Sequence, residues 1–316
     1  MATSGEVLVL DIHAHIYAEA LQQRFPGLKV HVAHDITEVP ADVSRIEVLI
    51  AFGIIITDEL MRRLTALKWV QSLATGVDHF LRCPTLRREA TITSGRGIHG
   101  PSMRETVAYH LLSLSQIARQ RHADQQNHHW ERRLWSLLAG KTAVLVGIGV
   151  VGASIGELLR AFGMTVIGVT NTPRQVAGFD EVVGREHMLA AAGQADYLIG
   201  VLPNTPENRG YIGRDVFAAM KPSAHFVNVG RGETVDEPAL IEALRTKKIA
   251  GAGLDVFAAE PLPKDSPFWD MPNVVMTPHV GGYFVEYEEY IMPLVLENME
   301  HFLAGRMKEM RNIVKR

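Results

Sequence analysis

The sequence contains one cysteine, Cys83, in 316 residues. A single thiol excludes an internal disulfide and a thiolate-rich metal site, and it suits a reducing compartment. Long apolar runs are missing as well: no window reaches the roughly 18 uninterrupted apolar residues that a spanning helix needs. The opening MATSGEVLVLD lacks the basic-then-apolar order of a secretory leader. A cytoplasmic protein is therefore expected. Charge of one sign is also scarce. Thirty-two Lys and Arg face 35 Asp and Glu, a formal net charge of −3. That balance gives no field to draw the chain onto nucleic acid or an anionic membrane. It leaves room for a local pocket that takes a small anion.

Glycine, by contrast, is plentiful at 27 residues, too many for a helical bundle. Short apolar runs alternate with amphipathic stretches, the pattern of parallel sheets covered by helices. At roughly 150 residues per domain, the length predicts about two α/β domains. In the first hundred residues, strands are expected at 7–10, 47–51, 69–73 and 91–93. A helix over 58–68 would bury Leu60, Leu64 and Leu67. From Pro101 onward, Met103, Val107, Leu111, Leu114 and Ile117 recur at helical spacing, which predicts one long helix over 101–120. Pro101 and Ser102 suit its start. The polar segment 122–135, with two tryptophans, reads as a surface arm. His122, His128 and His129 there lack a carboxylate at ligand spacing, and no metal is expected. Later strands are expected at 142–147, 165–170, 197–202, 225–230, 251–256 and 273–277, with the nearly continuous apolar character of buried parallel strands. Near the end, Ile291, Val295, Met299 and Phe302 share a helical face, and Pro293 predicts a bend or a late start.

Gly147, Gly149 and Gly152 form GIGVVG between the strand KTAVLV and the helix ASIGELLRAFG. In that setting the motif reads as a dinucleotide fingerprint. Gly147 permits the turn, Gly149 leaves room for a pyrophosphate, and Gly152 lets helix and sheet approach. Backbone N–H groups at Val150 and Val151 would meet the phosphate charge. No Gly-Lys-Ser/Thr follows, which counts against nucleotide hydrolysis. The next strand ends in TVIGVTNTPR, without the acid that bonds ribose hydroxyls in NAD sites. Thr170, Asn171, Thr172 and Arg174 would receive a 2′-phosphate instead, so NADP is the expected cofactor, with NAD as the alternative.

Three segments follow later strands: NVGRG with Arg231, DVFAAEPLP with Asp255 and Glu260, and TPHVGG with His279. Ligands of open parallel sheets bind beyond the carboxyl ends of the strands, which places all three segments at the nicotinamide end of a dinucleotide. Arg231 offers a planar fork for a substrate carboxylate and polarises the adjacent carbonyl. His279 can give a proton to the carbonyl oxygen. Glu260 can bond the imidazole and orient it. Asp255 would tie down the loop or touch the nicotinamide side.

The segments GKTAVLVGIGVVG, LPNTPENRG, MKPSAHFVNVGRGETVDEPALIEAL, GAGLDVFAAEPLP and MPNVVMTPHVGG resemble the D-isomer-specific 2-hydroxyacid dehydrogenase family. LATGVDHF and SGRGIHGPSMRETVAYHLL extend the resemblance over nearly the whole chain. It implies two Rossmann-like domains with parallel sheets, the coenzyme domain inserted into a flavodoxin-like substrate domain. The expected boundaries are 1–100 for the first part of the substrate domain, 101–283 for the dinucleotide domain, and 284–316 for the segment that returns. The resemblance implies Arg231, Glu260 and His279 as catalytic residues. It adds Pro203, Asp255 and Gly281 to the cofactor site, and maps the substrate-carboxylate loop onto Ala74, Thr75 and Gly76, beside Arg231 and His279. A homodimer is implied. The expected reaction is hydride transfer from NAD(P)H to the carbonyl carbon of a small 2-keto acid of the glyoxylate or hydroxypyruvate type, with His279 as proton donor. The alternatives are reduction of other short or branched 2-keto acids, and a dinucleotide-sensing binding protein or corepressor without turnover.

Overall fold

The computed structural model describes residues 5–315; residues 1–4, where the reading of the leader begins, and residue 316 lie outside the described residues. The chain forms two compact units. One runs up to Ile98 and resumes at Val285, and the other is His99–Phe284.

The first unit opens with β1 (Glu6–Leu10), α1 (Ala14–Arg24), β2 (Lys29–Ala33) and β3 (Ile46–Ala51). It continues with α2 (Asp58–Arg63), β4 (Trp69–Ser72), α3 (Asp78–Arg82) and β5 (Thr91–Thr93). The sheet order is β2-β1-β3-β4-β5, with every pair parallel. This is the flavodoxin-like order. Strand β2 (KVHVA) was not foreseen. It is an edge strand whose Lys29 and His31 break the apolar pattern, and both pair with Glu6 of β1, at 3.1 and 2.9 Å. Helix α2 is shorter than expected. Leu64 and Leu67 still reach the core, from the turn that follows it.

The second unit begins with α4 (Gly100–Ser115) and α5 (Ala118–Gln126) in place of one long helix. The break is at Ile117, whose φ of 50° is left-handed. Beyond it, Arg119 donates to the carbonyls of Met271 (2.7 Å) and Val274 (3.0 Å), which fixes the new direction. Then follow β6 (Thr142–Val146), α6 (Val150–Ala161), β7 (Thr165–Thr170), β8 (Glu181–Gly184), α7 (Met188–Gln194) and β9 (Tyr197–Gly200). The unit closes with α8 (Arg214–Ala219), β10 (His225–Asn228), α9 (Glu237–Arg245), β11 (Gly251–Leu254) and β12 (Val274–Met276). The seven strands are ordered β12-β11-β10-β9-β6-β7-β8, all parallel. Separate apolar clusters cover the two faces of the sheet. This is the doubly wound dinucleotide-binding order with one more strand beyond β11.

Helix α10 (Tyr287–Leu303) returns to the first unit. It begins six residues before Pro293 and passes through it. Pro293 removes the donor that the Glu289 carbonyl would otherwise meet, and both residues are exposed. Ile291, Val295, Met299 and Phe302 are buried as expected. Asn298 donates to Gln71 at 2.9 Å, and His13 and Glu288 meet at 2.6 Å.

Three histidines of the second unit are buried or half-buried: His99 before α4 and His110 within α4 are buried, and His225, stacked on Tyr197 at 5.3 Å, is half-buried. Burial lowers each to a pKa of about 4, with the Arg231 charge adding to the effect at His99. The unfolded chain takes up these protons near pH 6.5 and the folded chain does not. Stability therefore falls as pH drops from about 6.5 to 4, by up to about 1.4 kcal/mol per pH unit for each histidine. Urea unfolding across this window measures the slope. His225→Gln is expected to flatten it; an unchanged slope in that variant would rule out the assignment for His225.

Candidate active site

The dinucleotide motif lies between β6 and α6. Gly147 has a φ of 100°, which L side chains rarely adopt. A Cβ on Gly152 would sit 2.2 Å from the Gly147 carbonyl oxygen, whereas one on Gly149 would meet nothing within 4 Å. The turn is therefore closed on its inner side and open on its outer side. No side chain caps α6 and no acid lies in its first turn, so the N–H groups at Val150, Val151 and Gly152 are available to an anion. This arrangement fits a pyrophosphate.

Beside it is a cavity of about 280 Å³. Its walls include Gly147, Gly149, Thr170, Asn171, Thr172, Arg174 and Pro203, all named from the sequence. Arg185, Asn208 and Tyr211 also line it and were not foreseen. Arg185 follows β8, which pairs with β7 so that Gly184 lies opposite Thr170. A larger hollow of about 620 Å³ lies by Ala250 and Asn273, at the amino ends of β11 and β12. Ligands of such sheets bind at the carboxyl ends, so the smaller cavity is the relevant one.

Arg231, Glu260 and His279 follow β10, β11 and β12, three neighbouring strands. Nδ1 of His279 lies 2.6 Å from Oε2 of Glu260, and the Phe257 N–H donates to Oε1 at 2.8 Å. Burial works against ionisation of Glu260. The bonds from His279 and Phe257, with the charge of Arg231, outweigh it and hold the carboxyl below its usual range. Glu260 is thus an acceptor at neutral pH. With Nδ1–H spent on it, the Nε2 edge of His279 is left for a ligand. The backbone carbonyl of Arg231 accepts from Asn228 Nδ2 (3.1 Å) and Thr234 Oγ1 (2.7 Å), which fixes the base of its side chain. The next residue must be glycine: a Cβ on Gly232 would lie 1.9 Å from the Phe257 carbonyl carbon.

Asp255 is 1% exposed. Its Oδ1 accepts from Thr277 Oγ1 (2.6 Å) and the Val280 N–H (3.1 Å), and its Oδ2 from the Gly281 N–H (3.0 Å). Its carbonyl accepts from the His279 N–H at 2.8 Å. The sequence left Asp255 between loop anchor and cofactor contact, and the geometry favours the anchor. Gly281 is held in the same network, its carbonyl accepting from Thr106 Oγ1 at 3.3 Å. Within the first unit, Ala74, Thr75 and Gly76 form the loop after β4, with Thr75 exposed. Ser72 Oγ and Ala74 N hold its first turn at 3.2 Å.

The histidine arm differs from expectation in one respect: His129 does meet two carboxylates, Asp124 and Glu131. Arg133 takes the cationic place there, bonding both Asp124 oxygens at 2.8 and 3.3 Å and pairing with Glu131.

An anion-receiving turn in the same sheet as an arginine, a glutamate and a histidine that follow three neighbouring strands is the layout of a nicotinamide-dinucleotide oxidoreductase. The chain belongs to the D-isomer specific 2-hydroxyacid dehydrogenase family, whose NAD binding domain profile matches residues 108–281. It is thereby an NAD(P)-dependent 2-hydroxyacid dehydrogenase or 2-keto acid reductase. A family protein of Aeromonas salmonicida subsp. salmonicida A449 is 32% identical, with a TM-score of 0.91 and 99% of each chain covered. An NADPH-dependent glyoxylate/hydroxypyruvate reductase of Sinorhizobium meliloti, solved with NADP and sulfate, is 30% identical; its TM-score is 0.86 and 98% of each chain is covered. Glyoxylate/hydroxypyruvate reductase A of Serratia proteamaculans (strain 568) is 30% identical over 306 residues, 93% of each chain. Among the described residues, no helix is long and apolar enough to cross a membrane.

Proposed function

We propose that the protein reduces small 2-keto acids of the glyoxylate and hydroxypyruvate type with NADPH, and that His279 donates the proton. The observation that carries this reading is the His279–Glu260 bond of 2.6 Å, which commits Nδ1 and leaves Nε2 for the substrate oxygen. When bound, NADPH supplies the hydride for the carbonyl carbon. Arg231 holds the carboxylate in its planar fork and draws charge from the neighbouring carbonyl. Protonated His279 gives its Nε2 proton to the oxygen as charge develops there, while Glu260 keeps the ring in place. On the loop after β4, the Ala74 N–H is held by Ser72 Oγ, which leaves Thr75 and Gly76 as the backbone N–H groups proposed for a substrate carboxylate. The choice of NADPH is supported by the absence of an acid at the end of β7, where Thr170, Asn171 and Thr172 stand, followed by Arg174. The Sinorhizobium and Serratia reductases support the substrate class.

Oxidation of NADPH and of NADH against glyoxylate, hydroxypyruvate, pyruvate, phenylpyruvate and 2-ketoisovalerate tests the proposal. Fastest turnover is expected with NADPH and with glyoxylate and hydroxypyruvate. If no 2-keto acid is reduced, the reading fails.

The protein is also proposed to work as a homodimer. Between α5 and β6, Trp130 is 90% exposed, Leu134 94% and Leu137 67%, an apolar set that a second copy would cover. Sedimentation is expected to show a dimer, and Trp130→Ser with Leu134→Ser a folded monomer at micromolar concentration. A dimer that survives both changes would place the interface elsewhere.

A further inference from the structure

The wall of the cofactor cavity contains a cation that sequence reading overlooked. Arg185 lies one residue beyond β8, with its guanidinium carbon 3.6 Å from the centre of the Tyr211 ring. Its NH1 donates to Asn208 Oδ1 at 2.9 Å and to Asn171 Oδ1 at 3.2 Å, and its NH2 donates to the Glu207 carbonyl at 3.2 Å. Asn208 is buried and itself held, its Nδ2 donating to the Pro203 carbonyl at 3.0 Å. A long and flexible side chain is thus fixed on three sides before any ligand arrives, which lowers the entropy lost when one binds.

The consequence falls on Asn171, the residue after β7. An amide offers a carbonyl oxygen at one end and N–H2 at the other. Arg185 takes the oxygen, so the donor end is what Asn171 presents to a ligand. A ribose with free hydroxyls is recognised by an acceptor, commonly a carboxylate. A ribose 2′-phosphate is recognised by donors and cations. The lining residues at the ends of β7 and β8 are of the second kind: Thr170, Asn171 by its N–H2, Thr172, Arg174 and Arg185. Glu207 is the only carboxylate among the lining residues, and it sits on the loop after β9 rather than at the end of β7.

We propose that Arg185 is a coenzyme-selecting residue: anchored on Tyr211 and Asn208, it fixes the donor end of Asn171 toward the ligand and adds a second cation to Arg174 for a ribose 2′-phosphate. The inference rests on the NADPH reading above. It extends that reading to a side chain from a different strand, and it makes Asn171 a donor only because Arg185 occupies its acceptor.

Calorimetry with two fragments tests this without turnover. Adenosine 2′,5′-bisphosphate and adenosine 5′-monophosphate differ only in the 2′-phosphate. The wild-type protein is expected to bind the bisphosphate at least about tenfold more tightly, the worth of one or two charge-assisted hydrogen bonds. Arg185→Met should bring the ratio below about threefold while affinity for the monophosphate and the melting temperature hold. Asn171→Asp should also collapse the ratio, by placing a carboxylate where the phosphate sits. If Arg185→Met keeps the wild-type ratio, or weakens both fragments equally, the role of Arg185 is overturned while the NADPH reading stands. A wild-type ratio near one would instead defeat the NADPH reading, and this inference with it.

Discussion

Replacing His279 by alanine is expected to lower turnover of the preferred 2-keto acid by on the order of 10²–10⁴-fold, the range a positioned general acid supplies. Coenzyme binding should persist, because the fingerprint turn, α6 and the adenosine-end cavity do not include His279. His279 has a left-handed φ of 53°, held by its own N–H bonded to the Asp255 carbonyl and by the flanking N–H groups of Val280 and Gly281 on the Asp255 carboxylate. Glu260 then fixes the ring at Nδ1. Glu260→Gln should behave as a milder form of the same loss. The Phe257 N–H claims Oε1, so the amide would turn its N–H2 toward Nδ1–H of a protonated ring, and two donors would face each other. Steady-state kinetics beside a fluorescence titration of NADPH separates the steps. A His279→Ala enzyme within threefold of wild-type turnover would remove His279 as the proton donor.

Much of this was legible in the sequence, for identifiable reasons. The central strands are buried on both faces, so their apolar runs are nearly unbroken and stand out. The turns after β6 and β10 carry glycines that backbone contacts demand, as at Gly152 and Gly232, and after β12 Gly281 leaves room for the Asp255 and Thr106 side chains. What escaped was at the edges. Strands β2 and β8 each have one neighbour, and exposed residues such as Lys29 and Glu181 interrupt their pattern. Missing β8 meant missing Arg185, since only its parallel pairing with β7 brings Gly184 level with Thr170. A signal was present: the Val182–Val183 pair, a glycine and then a helix beginning at Met188 repeat, in brief, the strand-to-helix junction of the other units. The stop at Ile117 had no local cue, because the carbonyls that capture Arg119 are more than 150 residues away.

Arg231→Ala is expected to reduce kcat/KM for 2-keto acids by about 10²–10³-fold, the effect of removing one preorganised charge-stabilising donor. The loss should divide between KM and kcat, since the same guanidinium both holds the carboxylate and polarises the carbonyl. Arg231→Lys should recover little of it, because a single ammonium cannot reproduce a planar fork. The base of the side chain is already fixed by Asn228 and Thr234, and NH1 donates to the Gly230 carbonyl at 2.8 Å. Truncation at Cβ therefore removes the head group and leaves the loop anchored. Its charge also supports ionised Glu260, so a smaller effect should pass through the Glu260–His279 pair. A substrate without a carboxylate separates these contributions. A neutral aldehyde of similar size should be a poor substrate for the wild type and lose far less on Arg231→Ala, because only the polarising and Glu260-mediated parts are then at stake. An equal loss for the aldehyde and the keto acid would show that Arg231 acts on the carbonyl or the histidine alone, and that the carboxylate is held elsewhere.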